Sequence, residues 1–427
     1  MSIGGTVPTA PGDVGPVGRA RPPIPAVLGA YAVVGLVTTA VAMIGAAHRR
    51  PTLPPVATWD WIGAWLTGDA GWYQTIAASG YSYTPGQQSS IAFFPTYPMT
   101  VRAVGWVFGG DVRLAGWLVA VAAGAGAVVA FTCWVWSRLP RSAAITAVAL
   151  LMLYPYSFFL YGAMFSDSTF LVLAVGAFLL VERRMFVLAG FVGALATAGR
   201  PVGVAVAIGL VVRVIELRAE ARRDLSSRPV TAAVSDRAGS DRWWPARPGL
   251  RDLLRAVPDL RWRDAGVLVA GFGLAAWCIY LWTTFGDPLA FSTVQAAPGW
   301  NQGGGPRTWL KFDYFGTLLY RSPDLSVRLT AQALMLLLAL LLLRRVWRLF
   351  GWGYLAYALV VLAIPLIGTK DFMGTGRYVL AAFPAIAAGA HVLATTRWRW
   401  IRPVLLTLFA AGLLVATYFH SIGEPVT

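Results

Sequence analysis

The sequence predicts an all-α, polytopic membrane protein, and three observations support this class. The 427 residues are 57% hydrophobic and only 13% charged, with a mean hydropathy of +0.62. This composition leaves too little polar surface to cover a soluble protein of this size. Apolar runs long enough to cross a hydrocarbon core of about 30 Å recur along the chain. Short arginine clusters separate those runs, as is typical of the cytoplasmic ends of transmembrane helices.

The apolar runs predict a bundle of about 11 transmembrane helices. The predicted spans are residues 26–46, 114–136, 143–161, 168–181, 186–199, 202–214, 265–283, 327–343, 352–367, 378–393 and 401–419. The runs at 186–199 and 202–214 are short and could instead form one bent hairpin. Because basic residues favour the inner side of the membrane, the amino terminus is expected in the cytoplasm and the carboxyl terminus outside.

Four parts are expected along the chain. Residues 1–25 are rich in Pro and Gly and are predicted to be a disordered cytoplasmic tail. A transmembrane module at 26–212 contains a long extracytoplasmic loop at 47–112. A second module at 264–427 contains extracytoplasmic loops at 285–326 and 368–377. Three loops therefore converge on the outer face, where we expect the functional residues.

The Arg-rich loop at 213–263 connects the two modules on the cytoplasmic side. It mixes many arginines with acidic residues, which predicts a solvated, partly disordered linker. Binding to anionic lipid headgroups is the alternative interpretation.

The formal net charge of +16 could indicate a nucleic-acid-binding protein. Its basic residues, however, lie at the ends of apolar runs, so the charge indicates membrane orientation instead. Lysine occurs only at Lys311 and Lys370, which suggests a bacterial genome of high GC content. Cys133 and Cys278 lie within apolar runs and the three histidines are scattered, so neither a disulfide nor a bound metal is expected.

The first extracytoplasmic loop contains the most informative residues. Asp60 and Asp69 are its candidate catalytic carboxylates. Asp69 is followed by a short amphipathic segment that ends at Gly80, which predicts a helix with Asp69 near its amino end. A second helix is predicted over 98–108; at about 16 Å it is too short to cross, and we place it at the interface.

This loop resembles that of the PIG-V-like mannosyltransferases, a family of the GT-C superfamily. The similarity is carried by Asp69-Ala70-Gly71-Trp72-Tyr73, Ile76-Ala77, Gly80-Tyr81 and Ala92-Phe93-Phe94-Pro95-Thr96-Tyr97-Pro98. Weaker similarity continues through 154–200, through Gly286-Asp287-Pro288-Leu289 to Trp300, and at Gly376-Arg377-Tyr378. The sequence departs from the family at Gly68, where the family usually has Trp.

The resemblance implies a GT-C type bundle and inverting transfer from a polyprenyl-phosphate sugar at the outer membrane face, without a nucleotide or other cofactor. A loop carboxylate can take the proton of the acceptor hydroxyl as that hydroxyl attacks the anomeric carbon. By resemblance this base is Asp69, with Asp60 as the second choice; a solvated surface carboxylate is the alternative. Asp167 stands where the family usually has Glu and could orient the acceptor or the base, or simply cap a helix.

The departing lipid phosphate requires cationic or N–H donors, and arginine can bond two of its oxygens. Arg377 is the first candidate, by the family's Arg-Tyr pair, with interfacial anchoring as the alternative. Arg200 lies in an apolar stretch and needs a partner, either a phosphate or Asp167. Lys370 could assist, or could pair with Asp371 in solvent.

Other residues are expected to contact the sugar or the lipid chain, with interfacial anchoring or helix packing as the competing explanations. They are Trp72, Tyr73, Tyr81, Phe94, Tyr97, Gln295, Trp300 and Tyr378. The pair Gln295 and Trp300 resembles a family element in which a sugar could stack on the indole. Phe93, with Phe94 and Tyr97, could form an apolar wall for the polyprenyl chain.

The sequence therefore predicts a mannosyltransferase of the cell membrane, with a glycolipid or cell-envelope acceptor. Mannose follows from the resemblance alone, because arabinose or glucose on the same lipid would require the same chemistry. A transporter or lipid flippase is the alternative from another class; it would place its polar residues near the bilayer midplane within broken helices. A membrane scaffold that has lost catalysis is a third possibility, suggested by Gly68.

Overall fold

The computed structural model describes residues 21–49, 56–57, 60–226, 247–302, 304–320, 323–424 and 426. Within these residues all regular secondary structure is helical, so the predicted all-α class is confirmed. Residues 1–20 of the predicted tail at 1–25, and residues 227–246 of the predicted Arg-rich loop, lie outside the described residues; the last two residues of the predicted tail already belong to a helix that begins at Ile24.

The α-helices are numbered in chain order. Those before the Arg-rich segment are α1 (Ile24–Ala47), α2 (Ala70–Ser79), α3 (Thr96–Val107), α4 (Val112–Trp136), α5 (Arg141–Leu153), α6 (Asp167–Glu182), α7 (Phe186–Thr197) and α8 (Val204–Ser226). Those after it are α9 (Leu250–Ala256), α10 (Phe272–Phe285), α11 (Ala290–Thr293), α12 (Pro306–Trp309), α13 (Phe312–Tyr320), α14 (Pro323–Leu341), α15 (Leu343–Phe350), α16 (Trp352–Gly368), α17 (Thr375–Ala381), α18 (Phe383–Thr395) and α19 (Ile401–Ser421). Tighter 3₁₀ turns occupy Gly63–Trp65, Ser90–Ala92, Pro155–Leu160, Pro201–Gly203, Val257–Asp259, Trp262–Gly271 and Val294–Ala296.

The protein is a multi-pass membrane protein, but fewer of its helices reach spanning length than the sequence predicted. In the described part of the chain, five helical segments are long and apolar enough to cross a membrane, or six if one bent pair is a single span. They are α1, α4, Trp262–Phe285, α14 and α19, with α17 and α18 as the bent pair. The sequence predicted about 11 spans, some of them short; α5, α7 and α16 are among the apolar helices below spanning length, with 13, 12 and 17 residues.

Two proline positions explain why predicted spans are broken. The run at 143–161 divides at Tyr154, where α5 ends and a 3₁₀ turn begins at Pro155, because a residue before proline disfavours the helical conformation. The run at 378–393 bends by 78° between α17 and α18. Here Ala382 leaves the helical region and Pro384 lies in the first turn of α18, where its missing N–H is tolerated.

Small residues allow α7 to pack closely against the segment Trp262–Phe285. A Cβ atom on Gly190 would lie 2.1 Å from the Gly266 carbonyl oxygen, and one on Gly273 would lie 1.8 Å from the Ala194 carbonyl oxygen. Such close backbone approach is a common way for membrane helices to associate, because lipid supplies no hydrophobic driving force between them. We call this contact the α7 seam.

The described ends of the Arg-rich loop are helical and ion-paired, which corrects the prediction of a solvated linker there. Helix α8 continues through Ser226 and α9 resumes at Leu250. Arg213 is buried and bonds the carboxylates of Glu182, Glu216 and Glu220 at 2.8, 2.9 and 3.0 Å. Mixed charge indicated solvation, whereas Arg213 of α8 pairs with Glu182 of α6 and with two carboxylates of its own helix.

The loops predicted to be extracytoplasmic are arranged around the amino ends of α2, α6 and α17. The predicted interfacial helix at 98–108 is present as α3, which packs on α2 and α4. Residues 290–302, the end of α16 and the start of α17 close the arrangement, and Pro201–Gly203 lies beside them. This arrangement positions the cavity described next.

Candidate active site

These loops enclose a cavity of about 400 Å³. Nine of the residues predicted from sequence line it: Asp69, Tyr73, Phe93, Phe94, Arg200, Gln295, Trp300, Arg377 and Tyr378. They come from the first loop, from the α7–α8 connection, from the loop after α10 and from α17. The structure therefore brings together residues that lie far apart in the sequence.

Asp69 occupies the amino-terminal cap position of α2, but its carboxylate makes no capping hydrogen bond. The preceding residue, Gly68, has φ of +58°, in the left-handed region that glycine adopts without strain. This turn explains why glycine is suitable where the family usually has Trp. Asp69 consequently points its acceptor atoms at the cavity and not at the helix end.

The Asp69 carboxylate faces Arg377 across the cavity. Oδ2 of Asp69 lies 3.6 Å from Nη1 of Arg377, and about a third of the Asp69 side chain remains exposed there. Nε of Arg377 has no hydrogen-bond partner in the described part of the chain. The guanidinium therefore keeps donors that an anionic ligand could use.

The electrostatic surroundings raise the pKa of Asp69 above its usual range. Burial of the carboxylate is the largest cause, because desolvation disfavours the charged form. The positive charge of Arg377 lowers this pKa, whereas the negative charge of Asp167 raises it. A carboxylate with a raised pKa is a stronger proton acceptor than an ordinary surface aspartate.

Asp167 and Arg200 form a buried ion pair beside the cavity. Nη1 of Arg200 donates to Oδ1 of Asp167, and both side chains are about 95% or more buried. The guanidinium carbon of Arg200 lies 4.9 Å from the centre of the Tyr378 ring. Asp167 does not cap α6, because Ser166 is the capping residue; its Oδ2 has no hydrogen-bond partner among the described residues. The sequence analysis left Arg200's partner open, and the structure identifies it as Asp167.

Tyr73 connects the first loop to α6. Its hydroxyl donates to Oγ of Ser166 at 3.0 Å, and burial raises the pKa of Tyr73 to about 12, so the phenol remains protonated near neutral pH. The Tyr97 ring packs edge-on against Tyr73 at 5.0 Å. Tyr97 itself does not line the cavity; its hydroxyl donates to the Gly116 carbonyl at 2.9 Å.

Phe93 and Trp300 line one wall of the cavity, and Trp72 packs against both of them. The rings of Trp72, Phe93 and Trp300 lie 5.9 to 6.0 Å from one another, centre to centre. Gln88 holds Trp300: with its amide oxygen as acceptor, the indole and backbone N–H groups of Trp300 donate at 3.2 and 3.1 Å. Gln88 was not predicted as a site residue, because a single glutamine in a polar loop belongs to no recognisable motif.

Asp60, Tyr81 and Lys370 are three of the six predicted residues that do not line this cavity; the others are Asp167, Trp72 and Tyr97. The Asp60 carboxylate accepts from the Gly63 amide at 2.7 Å and pairs with Arg113 at 2.6 Å. Although burial alone would raise it, the pKa of Asp60 is lowered overall by these donors. Tyr81 packs on Trp277 at 4.8 Å in an adjacent apolar groove.

Lys370 is the third of these residues. Its Nζ donates to the Trp300 carbonyl at 3.3 Å, and its backbone N–H donates to Gln302 at 3.0 Å. Among the described residues, Lys370 forms no ion pair with Asp371, the partner that the sequence offered as an alternative. Lys370 therefore connects the loops at 285–326 and 368–377.

Gln332, which helps to fix the start of α17, was not predicted from the sequence as a site residue. Gln332 is fully buried within α14, and its Oε1 accepts from the Gly376 N–H at 3.2 Å. A Cβ on Gly376 would lie 2.3 Å from the Tyr156 ring. The signal for Gln332 was available, since an amide in an apolar span usually has a specific partner.

No family model matches this chain, and no curated protein sequence matches it. Among solved structures, the chain is similar to the oligosaccharyltransferase of Archaeoglobus fulgidus in its apo form. The identity is 13% and the TM-score 0.43, over 92% of this chain and 56% of that chain. The archaeal oligosaccharyltransferase AglB from the same organism, in complex with an inhibitory peptide and a dolichol-phosphate, gives 13% identity and a TM-score of 0.43, over 91% of this chain and 55% of that chain.

The chain thus spans little more than half the length of the oligosaccharyltransferase. At this identity and TM-score the likeness carries no argument about activity. Membership of the PIG-V-like family stays a hypothesis from the sequence.

Proposed function

We propose that this chain is a glycosyltransferase of the GT-C superfamily that transfers a sugar from a polyprenyl-phosphate donor to a lipid-linked or cell-envelope acceptor. The observation that carries the proposal is the position of the Asp69 carboxylate 3.6 Å from the Arg377 guanidinium in one cavity. One group can accept a proton and the other can bind a phosphate, which are the two functions that this transfer requires.

In the proposed reaction, the acceptor hydroxyl oxygen attacks the anomeric carbon and forms the new glycosidic bond. The bond from that carbon to the phosphate oxygen breaks, and the electron pair leaves with the polyprenyl phosphate. Asp69 takes the hydroxyl proton, and Arg377 stabilises the charge on the departing phosphate. Attack opposite the leaving group inverts the anomeric centre.

The sugar is assigned to the aromatic wall of the cavity. Trp300 is held by Gln88 and packs with Trp72 and Phe93, so it presents a fixed indole for stacking. Gln295 lines the same cavity and supplies an amide for a sugar hydroxyl. Mannose remains the proposed sugar because of the sequence resemblance. The geometry of the cavity is equally compatible with another hexose or a pentose.

The polyprenyl chain is assigned to the apolar groove next to the cavity. This groove of about 570 Å³ is lined by Tyr81, Trp277 and Tyr280, among others. The Phe94 ring lies between the two spaces, 5.8 Å from the Trp277 ring and 5.1 Å from the Phe291 ring. A donor could therefore place its phosphate near Arg377 while its chain lies in the groove.

We further propose that the protein lies in the cell membrane with its amino terminus in the cytoplasm and this cavity on the extracytoplasmic side. The distribution of arginines supports this orientation. A polyprenyl-phosphate sugar would then be the donor substrate, and a glycolipid or cell-envelope glycan the acceptor.

Transfer of radiolabelled mannose from polyprenyl-phosphate mannose into native lipid extract tests the proposal. Purified wild type should transfer label, and Asp69→Asn should be about 10²- to 10⁴-fold slower, the usual contribution of a general base. Asp111→Asn is the matched control, because Asp111 caps α4 and Asn caps a helix equally well. Arg377→Gln should raise the KM for the donor.

Each other result has a defined meaning. Loss with Asp60→Asn but not with Asp69→Asn would move the base to Asp60. No transfer by wild type from mannose, arabinose or glucose donors would overturn the enzyme assignment and favour the transporter or flippase alternative. Full activity in both aspartate variants would exclude the mechanism.

A further inference from the structure

A second cavity, of about 810 Å³, lies at the other end of the α7 seam from the candidate active site. Its lining combines arginines with apolar side chains: Arg184, Arg218, Arg261, Arg263, Met185, Val187, Leu188 and Trp262. Helix α7 begins here at Phe186 and ends near Arg200 of the candidate active site, and its 12 residues separate the two cavities by about 18 Å.

The charge of this cavity is strongly positive. Asp264 is buried, and its carboxylate is bonded by Arg218 at 2.7 and 2.8 Å, so Arg218 is neutralised. Within the described residues, Arg184, Arg261 and Arg263 are exposed and form no ion pair with a carboxylate. Three cationic side chains therefore converge on one concave surface.

Arg184 adopts an unusual backbone conformation just after the end of helix α6. Helix α6 ends in the two hydrogen bonds of a Schellman motif, from Arg184 N to the Val181 oxygen and from Met185 N to the Leu180 oxygen. Arg184 has φ of +61° at the position that glycine usually occupies. A bulky residue in the left-handed region is strained, and such strain is concentrated at functional positions.

The apolar side chains indicate what kind of anion the cavity accepts. Trp262 is 83% exposed at the start of the spanning segment Trp262–Phe285, and Val187 and Leu188 are exposed on the first turn of α7. Exposed apolar residues continue in the membrane direction along both elements, at Phe191 and Leu195 and at Leu268 and Phe272. A water-soluble anion would leave this surface uncovered, whereas acyl chains would cover it.

We propose that this cavity is a binding site for an anionic glycerophospholipid, with the phosphate held by Arg184, Arg261 and Arg263 and the acyl chains along the exposed edge of the α7 seam. Arginines bind phosphate oxygens by charge-assisted hydrogen bonds, and a tryptophan at the membrane boundary packs on the glycerol region. This site is separate from the proposed transferase cavity and does not depend on its reaction. Because α7 connects the two cavities, the lipid would also stabilise the helix that precedes Arg200.

Native mass spectrometry of the full-length protein in detergent tests the site, with phosphatidylglycerol and phosphatidylcholine as separate probes. We expect wild type to retain one phosphatidylglycerol with at least tenfold preference over phosphatidylcholine. The variant Arg184→Gln/Arg261→Gln/Arg263→Gln should lose this preference. The matched control is Arg397→Gln/Arg399→Gln/Arg402→Gln, which removes the same charge around the start of α19, where Arg397 lies over Trp398 as Arg263 lies over Trp262.

Arg184→Gly separates the ligand role from a structural role. Glycine suits the left-handed backbone, so this variant should unfold at the same or a higher temperature than wild type and yet bind phosphatidylglycerol more weakly. Equal losses in the two triple variants would overturn the proposal and indicate general electrostatic attraction. Full competition by inorganic phosphate at concentrations equal to the lipid would also overturn it, because the acyl chains would then contribute nothing.

Discussion

Oδ2 of Asp69 and Nη1 of Arg377 lie 3.6 Å apart although one belongs to the loop between α1 and α4 and the other to the first turn of α17. This distance is near the upper limit for an ion pair, so both groups keep hydrogen-bonding capacity for a ligand. A substrate with a hydroxyl and a phosphate could engage both. This relationship determines the expected pH dependence.

We expect kcat/KM for the labelled donor to fall as the pH decreases through the pKa of Asp69, since only the ionised carboxylate accepts a proton. Burial raises this pKa above the ordinary aspartate value of about 3.9. Arg377 lowers it, so Arg377→Gln should shift the acidic limb of the profile to higher pH, whereas Arg377→Lys, which keeps the charge, should shift it less. Superimposable acidic limbs in the three proteins would exclude Asp69 as the titrating base.

Asp167→Asn should destabilise the protein by about 3–5 kcal/mol, because it leaves the buried Arg200 guanidinium without a countercharge. Unfolding in mixed micelles, followed by circular dichroism, measures this change. Asp167→Asn combined with Arg200→Gln should recover part of the loss. The control Arg113→Gln breaks the exposed pair with Asp60 and should change the free energy by no more than about 1 kcal/mol. Equal effects of the two single variants would contradict the assigned burial of the pair.

Gly376→Ala should reduce transfer and lower stability by about 1–3 kcal/mol, because its Cβ would lie 2.3 Å from the buried Tyr156 ring. The resulting shift of α17 would displace Arg377, so the donor KM should rise. Gly71→Ala is the control, since no atom lies within 4 Å of the added methyl group. Donor titrations with both variants measure the effect; an unchanged KM in Gly376→Ala would show that α17 tolerates the added volume.

Gly273→Ala should weaken the α7 seam and lower the thermal unfolding temperature in detergent. Its Cβ would lie 1.8 Å from the Ala194 carbonyl oxygen, a backbone atom that cannot move aside without shifting α7. Gly271→Ala, two residues earlier in the same spanning segment, meets open space and should leave the unfolding temperature unchanged. Identical melting curves for the two variants would refute the close contact.

The sequence by itself determined the membrane class, because composition and long apolar runs report directly on the solvent that surrounds the chain. It also located the helix after Asp69 and the helix at 98–108, since those signals are local in the sequence. The lengths of α5 and α18 were less predictable, because proline breaks and bends divide apolar runs that appear continuous.

Only the tertiary structure decided which side chains meet. Asp69 and Asp60 were equivalent candidates by residue type. Helix packing places Asp69 in the cavity with Arg377, whereas Asp60 forms an ion pair with Arg113. The pairing of Arg200 with Asp167 follows from the same packing. Distances between residues remote in sequence depend on how helices fit against each other, and that fit is set by close contacts such as Gly376 on Tyr156, which no local pattern records.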